Sequence, residues 1–369
     1  MAGLRERLGI RLEKRRTPSM RVDLGISILS FVTALAICSP IFSLIGFNPF
    51  DVYVEMFSDA FGNSAAIART ITKAIPLILV SAGAAVSFKA KIWNIGAQGQ
   101  MIMGGIAATW VALFFPIQLG SIETIILMFV LGTLAGLVWG VVCGLINEKL
   151  GVNMVITTLM FNAIAIKALE YLLHGPWKMP DINYPFTDAF PESAWLPTIS
   201  GTTIHYPTLI AGIAVVAVLY IMLKRYKLGY EIRAYGENPA AAKYAGIKSF
   251  KITMVVMLIS GALAGLAGVG EVAGLQHQLK MGVEGSGAVY AASYGYVALY
   301  IAWLGKSSPL GAAIASILIA GVLIGGESLV VMGIQMAVVS VILGLALLIL
   351  MAGVYLSDYR IVRRGRAEK

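Results

Sequence analysis

The sequence predicts an all-α, polytopic membrane protein of about ten transmembrane helices with both termini cytoplasmic. Three observations carry that prediction. Hydrophobic residues make up 58% of the 369 positions and charged residues 13%, at a mean hydropathy of +0.83, whereas soluble domains carry about 25% charged residues. Eight windows hold no charged residue and come to about the 20 residues a helix needs to cross a bilayer: 24–46, 92–122, 124–147, 203–223, 252–270, 285–305, 307–326 and 328–357. When the chain is threaded through its spans with the N-terminus inside, 23 of the 28 Lys and Arg fall on the inner side, as the positive-inside rule requires of a cytoplasmic face.

In chain order, residues 1–23 form a basic cytoplasmic segment leading into the first span. No small-residue cleavage pattern follows, so that span reads as an uncleaved anchor. Residues 69–88 and 151–173 add two spans if Arg69, Lys73, Lys167 and Glu170, near their outer ends, snorkel or pair. The membrane domain runs over 24–357 and carries one large cytoplasmic loop, 224–251. The basic tail, 358–369, closes the chain. The net charge of +9 is accounted for by topology and by attraction of juxtamembrane segments to anionic lipid, with no nucleic-acid partner. Between Leu275 and Tyr290 the apolar pattern is interrupted by Lys280 and Glu284, which fits a re-entrant piece.

Several chemistries are excluded. Cys38 and Cys143 both lie inside apolar spans, which leaves no disulfide framework. His174, His205 and His277 lack the spacing of a metal pair, and solvated or interfacial histidines are the expectation; no metal site is predicted. Gly305-Lys306-Ser307 lacks the upstream glycine of a phosphate loop, since position 300 is Tyr, and it joins two spans. No intrinsic enzyme is visible. Glu170, Glu271 and Glu327 fall near predicted outer ends, away from the mid-membrane depth where ion-coupled carriers bury acids. The energy source is therefore expected outside this chain.

One polar stretch stands out, GENPAAAKYAG at residues 236–246. Asn238 suits an N-cap and Pro239 the first helical position. Ala240, Ala241 and Ala242 are strong helix formers; Lys243 favours the C-terminal end and Gly246 a left-handed stop. A helix so short is unstable alone in water and must pack on something. A groove on another protein is one answer, and folding back onto the spans is the other.

Within spans, Asn94 and Gln98 share a helical face with Gln100 nearby, and Thr158 and Asn162 repeat the four-residue spacing. Two uses fit these side chains: lining a route for a polyhydroxylated solute, or hydrogen bonding between helices. Glu271 is a candidate for the outer mouth, or an interfacial charge in water. Gly261, Gly265 and Gly268 have the spacing that lets helices approach closely. Tyr290, Tyr294, Tyr296 and Tyr300 suit an aromatic belt or base stacking. The outer segment 175–202, with five prolines and Asp181, Asp188 and Glu192, is long enough to receive a partner together with residues 48–63.

Six stretches in order carry a resemblance: IWNIGAQGQMIMGG (92–105), LGVNMVITTLMFNAIA (150–165), LLHGPWKMP (172–180), RAYGENPAAAKYAGI (233–247), LISGALAGLAGVGEV (258–272) and LGKSSPLGAAIASILIAGVLIGG (304–326). Together they resemble the permease subunits of ATP-binding-cassette importers for nucleosides and simple sugars, which are related to ribose and branched-chain amino-acid permeases. Trp93 and Gln98 stand where that family commonly has Phe and Glu. The resemblance implies a multi-pass protein of a bacterial cytoplasmic membrane. It implies that Gly236, Glu237, Asn238, Pro239, Ala240, Ala241, Ala242, Lys243 and Gly246 couple to a separate cytoplasmic ATPase, which would hold ATP and Mg; this chain would hold no cofactor. A second, different permease and an extracytoplasmic solute-binding protein are the other implied partners. Nucleosides are the first expected solutes, simple sugars the next and amino acids the third. The rivals are a stand-alone secondary transporter or channel, which would use buried ionisable groups at broken helices, and a membrane-embedded enzyme, which would need a catalytic cluster.

Overall fold

Backbone that crosses lipid must satisfy its own hydrogen bonds, and the chain does so almost wholly with helices. The computed structural model describes residues 10–14, 20–117, 120–180, 184–280, 294–357 and 359–363. After strand β1 (Ile10–Lys14) come α1 (Met20–Leu44), α2 (Pro49–Phe61), α3 (Ser64–Lys89), α4 (Ala97–Phe114), α5 (Ser121–Leu150) and α6 (Met154–His174). They are followed by α7 (Tyr206–Arg225), α8 (Lys227–Glu237), α9 (Pro239–Tyr244) and α10 (Ser249–Glu271), which runs into a π-turn at Val272–Gln276. Helices α11 (Tyr294–Leu304), α12 (Pro309–Val331) and α13 (Met336–Ser357) and strand β2 (Tyr359–Arg363) complete the order.

Among the described residues, each of the ten predicted windows contains helix. Among the described residues, six helices are long and apolar enough to cross a membrane: α3, α5, α6, α7, α10 with its π-turn, and α12. The pair formed by α1 and α2, bent by 117° between them, makes a seventh if it is one span. The window at 92–122 is shortened because residues 92–96 are not helical, and α4 begins at Ala97. In the window at 285–305 the helix covers Tyr294–Leu304. Residues 281–293, and with them Glu284, Tyr290 and most of the expected re-entrant stretch, lie outside the described residues, as does Asp181.

The fold is all-α apart from one small ribbon. β1 and β2 pair antiparallel, with Ile10 opposite Arg363 and Leu12 opposite Ile361. Residues 10–14 and 359–363, which lie in the two basic tails read as separate anchors, thus form one ribbon.

The chain divides into two compact units, Met1–Phe57 with Gly325–Lys369, and Ser58–Ile324. In the first, α1 packs along α13, and Cys38, Phe42, Val52, Leu329, Ile334, Val339 and Ile342 form the core. In the second, α10 is the central helix, packed on α3, α4 and α5. Its glycines do what their spacing predicts. A Cβ at Gly265 would lie 2.4 Å from the Gly132 carbonyl oxygen, and one at Gly268 2.2 Å from that of Met101. From the other side, a Cβ at Gly136 would lie 2.5 Å from the Gly261 oxygen. Helices α4, α5 and α10 therefore meet backbone against backbone, the contact by which membrane helices pack without a hydrophobic drive between them.

Candidate functional site: a clamped helix pair and a buried polar cluster

The loop 224–251 contains two helices. α9 is the short helix expected from GENPAAAKYAG. The Asn238 side chain accepts from the backbone N–H groups of Ala240 and Ala241 at 3.0 and 3.1 Å. At the other end Gly246 takes φ +80°, and the Ile247 N–H donates to the Ala242 oxygen at 3.0 Å, closing the helix as a glycine stop does. Glu237, Asn238, Pro239, Ala240, Ala241, Lys243 and Gly246 are exposed, while Gly236 and Ala242 are buried. Tyr244 is 94% exposed.

α8 was not anticipated, although Leu228, Ile232 and Tyr235 have the spacing of one helical face. It is fixed tightly. Ile232 is fully buried; a Cβ at Gly236 would lie 2.1 Å from the Lys89 carbonyl oxygen at the end of α3. Lys251 Nζ sits 2.7 Å from Glu231 Oε2. The Tyr235 hydroxyl meets Ser249 Oγ at 2.9 Å, and Ser249 in turn donates to Glu148 Oε1 at 2.9 Å. Thr253 Oγ1 donates to the same carboxylate oxygen at 2.5 Å. The exposed α9 thus hangs on a lever tied to the ends of α3, α5 and α10.

The second place is the interior of the same unit. Asn94, Gln98, Gln100, Thr158 and Asn162, with Glu271, are all at least 98% buried. The first five come together around the non-helical stretch before α4. Asn94 Nδ2 donates to Ser260 Oγ at 2.8 Å and to Gln100 Oε1 at 3.3 Å, while its Oδ1 accepts from the Gly96 N–H at 2.9 Å. Asn162 accepts from the Gly99 N–H at 2.8 Å and donates to the Ile95 oxygen at 2.9 Å and to the Tyr296 hydroxyl at 3.1 Å. Thr158 Oγ1 accepts from the Ile95 N–H at 3.3 Å. Gln98 Oε1 accepts from the Gly295 N–H at 2.8 Å, so the starts of α4 and α11 are joined. These amides replace the backbone bonds that the broken helix lacks. Tyr296, expected in an aromatic belt or a base stack, belongs to the cluster through Asn162; Ser260 belongs to it too and was not singled out in the sequence, since a Ser in an apolar run has no spacing that marks it.

Glu271 stands apart, at the C-terminal end of α10. It is buried, not an interfacial charge in water, and its Oε1 accepts from Gln276 Nε2 at 2.9 Å. Residues 190–196 fold over this end. The Phe190 N–H donates to the His277 oxygen at 2.8 Å, the Leu196 N–H to the Ala273 oxygen at 3.0 Å, and Trp195 stacks on His277 at 4.1 Å. His205, expected to be solvated or interfacial, is 1% exposed. Gly274 makes the room: a Cβ there would lie 2.6 Å from His205 Cγ. Burial, with the nearby His277 charge adding to it, pushes His205 down to about 4. Its ring also meets the Thr208 hydroxyl. His174 is exposed, as expected. Among the described residues no three metal-ligating side chains gather. Gly305-Lys306-Ser307 forms a tight turn between α11 and α12, with the Ser307 N–H donating to the Ala302 oxygen at 2.9 Å.

Residues 66–352 match the family described as branched-chain amino acid transport system / permease component. The chain belongs to that family. It is 31% identical to the glucose ABC transporter permease protein TsgB13 of Haloferax volcanii, over 95% of this chain and 93% of the relative. It is 30% identical to the nucleoside ABC transporter permease protein NupB of Lactococcus lactis subsp. cremoris, over 86% and 87% of the two chains. With the guanosine ABC transporter permease protein NupP of Bacillus subtilis it shares 29% identity over 88% and 91%. No solved structure matches. The permease is therefore a multi-pass membrane component of a transporter, and its polar cluster and helix pair are features of a transport protein.

Proposed function

We propose that this permease is one membrane subunit of an ATP-binding-cassette importer for nucleosides or related simple sugars, driven by a separate cytoplasmic ATPase that docks on α9. The observation that carries the reading is the contrast between α9 and α8. A capped helix with an exposed face projects from a second helix locked to three others, so displacement of α9 is passed to α3, α5 and α10. Such a joint has no use in a stand-alone carrier. The relatives named for nucleosides, guanosine and glucose point to the solute class, and the related pairs in one organism, such as NupP with NupQ, favour a second, different permease beside this one. An extracytoplasmic solute-binding protein would dock on the outer segment, through Asp188 and Glu192.

Ten spans and cytoplasmic termini in a bacterial inner membrane complete the reading. The pairing of β1 with β2 supports them, since two ends joined in one ribbon lie on one side and require an even number of crossings. Asn94, Gln98, Gln100, Thr158 and Asn162 would wall the solute route, with Glu271 towards its outer end. Irregular backbone at membrane depth is tolerated where protein or a water-filled cavity satisfies it, and these amides satisfy residues 92–96.

The test is copurification with the ATPase and ATP-driven uptake, comparing wild type with Asn238→Arg and Ala241→Glu. Both positions are exposed, so the permease should still fold and insert. Loss of the ATPase from the variants supports docking on α9. Uptake that continues without any ATPase refutes the proposal in favour of a secondary carrier.

A further inference from the structure

We infer that the end of α3, where it meets the end of α11, holds a phospholipid headgroup, and prefers an anionic one, through the Trp93 ring and the ammonium groups of Lys89 and Lys91. The site needs only that the chain spans a membrane, and it does not depend on the ATPase.

Three aromatic rings meet where two apolar helices stop. Phe88 lies in the last turn of α3, Trp303 in the last turn of α11, and Trp93 in the non-helical stretch after α3. The Trp93 ring centre lies 5.1 Å from that of Phe88 and 5.7 Å from that of Trp303, with Phe88 and Trp303 6.5 Å apart. The two helix ends are therefore level. No charged residue occurs over 74–88 or 285–305, whereas Lys89 and Lys91 are exposed. An exposed ammonium is expensive in hydrocarbon, so the rings mark the depth at which acyl chains give way to headgroups. Trp93 remains 43% exposed there. An indole suits that depth, because its ring is apolar and its N–H is not.

The backbone keeps a lysine at this edge against its conformational preference. At the end of α3 the Lys91 N–H donates to the Phe88 oxygen and the Ile92 N–H to the Ser87 oxygen, both at 3.0 Å. That pair of bonds is a Schellman stop, whose left-handed position usually takes glycine, yet Lys91 fills it at φ +55°. α11 closes in the same way. The Lys306 N–H donates to the Trp303 oxygen at 2.8 Å and the Ser307 N–H to the Ala302 oxygen at 2.9 Å, with Lys306 at φ +52°. The helix dipole favours a cation near a C-terminus, but Lys89 already supplies one in the last turn of α3. The dipole gives no reason for a second in a conformation that disfavours any side chain. Among the described residues neither Lys89 nor Lys91 has an ion-pair partner.

The chemistry selects the ligand. An ammonium donates three hydrogen bonds and accepts none, and a phosphodiester only accepts. A lipid phosphate also brings acyl chains that cover the exposed ring, which a free phosphate cannot do. Two lysines against one phosphate leave a positive surplus. A headgroup without its own ammonium, as in phosphatidylglycerol, therefore fits better than phosphatidylcholine, by about fivefold in local concentration for each surface lysine. Lys89 is also where α8 rests, through Gly236, so the headgroup lies beside the helix pair.

The experiment places the full-length permease in phosphatidylcholine vesicles with a minor fraction of lipid brominated high on its acyl chains, either phosphatidylglycerol or phosphatidylcholine. Bromine quenches indole fluorescence on contact. The Trp93 signal is the difference between wild type and Trp93→Phe, which keeps an aromatic ring. Brominated phosphatidylglycerol should quench it with an apparent affinity about fivefold or more above that of brominated phosphatidylcholine. Lys89→Gln combined with Lys91→Gly should abolish the preference. The glycine relieves the left-handed position, so this variant should melt close to wild type, and unfolding would not explain the loss. The site is overturned if both lipids quench Trp93 equally in wild type, which leaves only an aromatic belt, or if the preference survives in the double variant. Quenching by neither lipid also overturns it, since protein then covers the ring. So does loss of the preference on adding inorganic phosphate but not chloride at equal ionic strength, which identifies a site for free phosphate.

Discussion

Gly265→Ala is the sharpest test of the packing that holds the second unit together. The added methyl carbon would lie 2.4 Å from the Gly132 oxygen, 3.0 Å from Gly136 Cα and 3.1 Å from Gly136 N. All three are backbone atoms of α5, so no side chain can swing aside. Relief requires α5 and α10 to separate by about 1 Å, and a gap of that size forfeits roughly a quarter to a half of each dispersion contact along the seam. Overpacking of this kind costs about 1–3 kcal/mol. Alanine is also the better helix former, by about 0.8–1 kcal/mol, so a control is needed. Gly344 in α13 has nothing within 4 Å of an added Cβ, and Gly344→Ala takes the same propensity gain without the clash. The measurement is the thermal midpoint of each detergent-solubilised variant, followed by size exclusion. Gly265→Ala should melt lower than Gly344→Ala by an amount equivalent to about 1–3 kcal/mol. Adding Gly136→Ala, which meets the Gly261 oxygen at 2.5 Å, should cost less than its single effect, because the helices are already parted. Equal midpoints for the Gly265 and Gly344 variants would refute the close-contact account.

Asn238→Ala should remove the α9 cap, at about 1 kcal/mol, and show as faster amide exchange across residues 239–245 while the spans keep their protection. Asn162→Ala should leave the Gly99 N–H and the Ile95 oxygen unpaired in the interior, lowering the midpoint by the equivalent of about 1–3 kcal/mol or more. His205 has a lowered value of about 4 against an ordinary value near 6.5, so the unfolded chain binds the proton more readily. Its contribution to stability is complete above about pH 6.5 and is lost as pH falls towards 4; exchange in the outer segment should quicken over that window in wild type and not in His205→Gln. Lys251→Ala breaks an ion pair whose Lys is half exposed and should change the midpoint by less than the equivalent of about 1 kcal/mol.

Local signals were read correctly where a residue type answers a purely local need. The Asn238 cap and the Gly246 stop depend on neighbours two to five positions away, and both stand as expected. The Gly261, Gly265 and Gly268 spacing was legible for the same reason, since helical periodicity alone puts them on one side. α8 was missed because its polar residues hide a short amphipathic face. The strands were missed because ribbon pairing joins residues about 350 positions apart, and nothing in either tail specifies the other.

By itself, the sequence determined the solvent. Too little charge and ten apolar windows leave lipid as the only medium, and the distribution of Lys and Arg predicts an orientation. It also determined which residues are polar where lipid makes polarity costly, and so which positions needed a structural answer. Only the tertiary structure decided what those answers are. Asn94 and Asn162 brace residues 92–96, because the partners they satisfy lie on other helices. His205 and Glu271 are buried, because the outer segment and glycine-rich α10 close over them. Lys73 lies over the Tyr294 ring, because α3 and α11 pack together. Hydropathy is a property of a stretch of chain, whereas burial and partnership are properties of the stretches that pack against it.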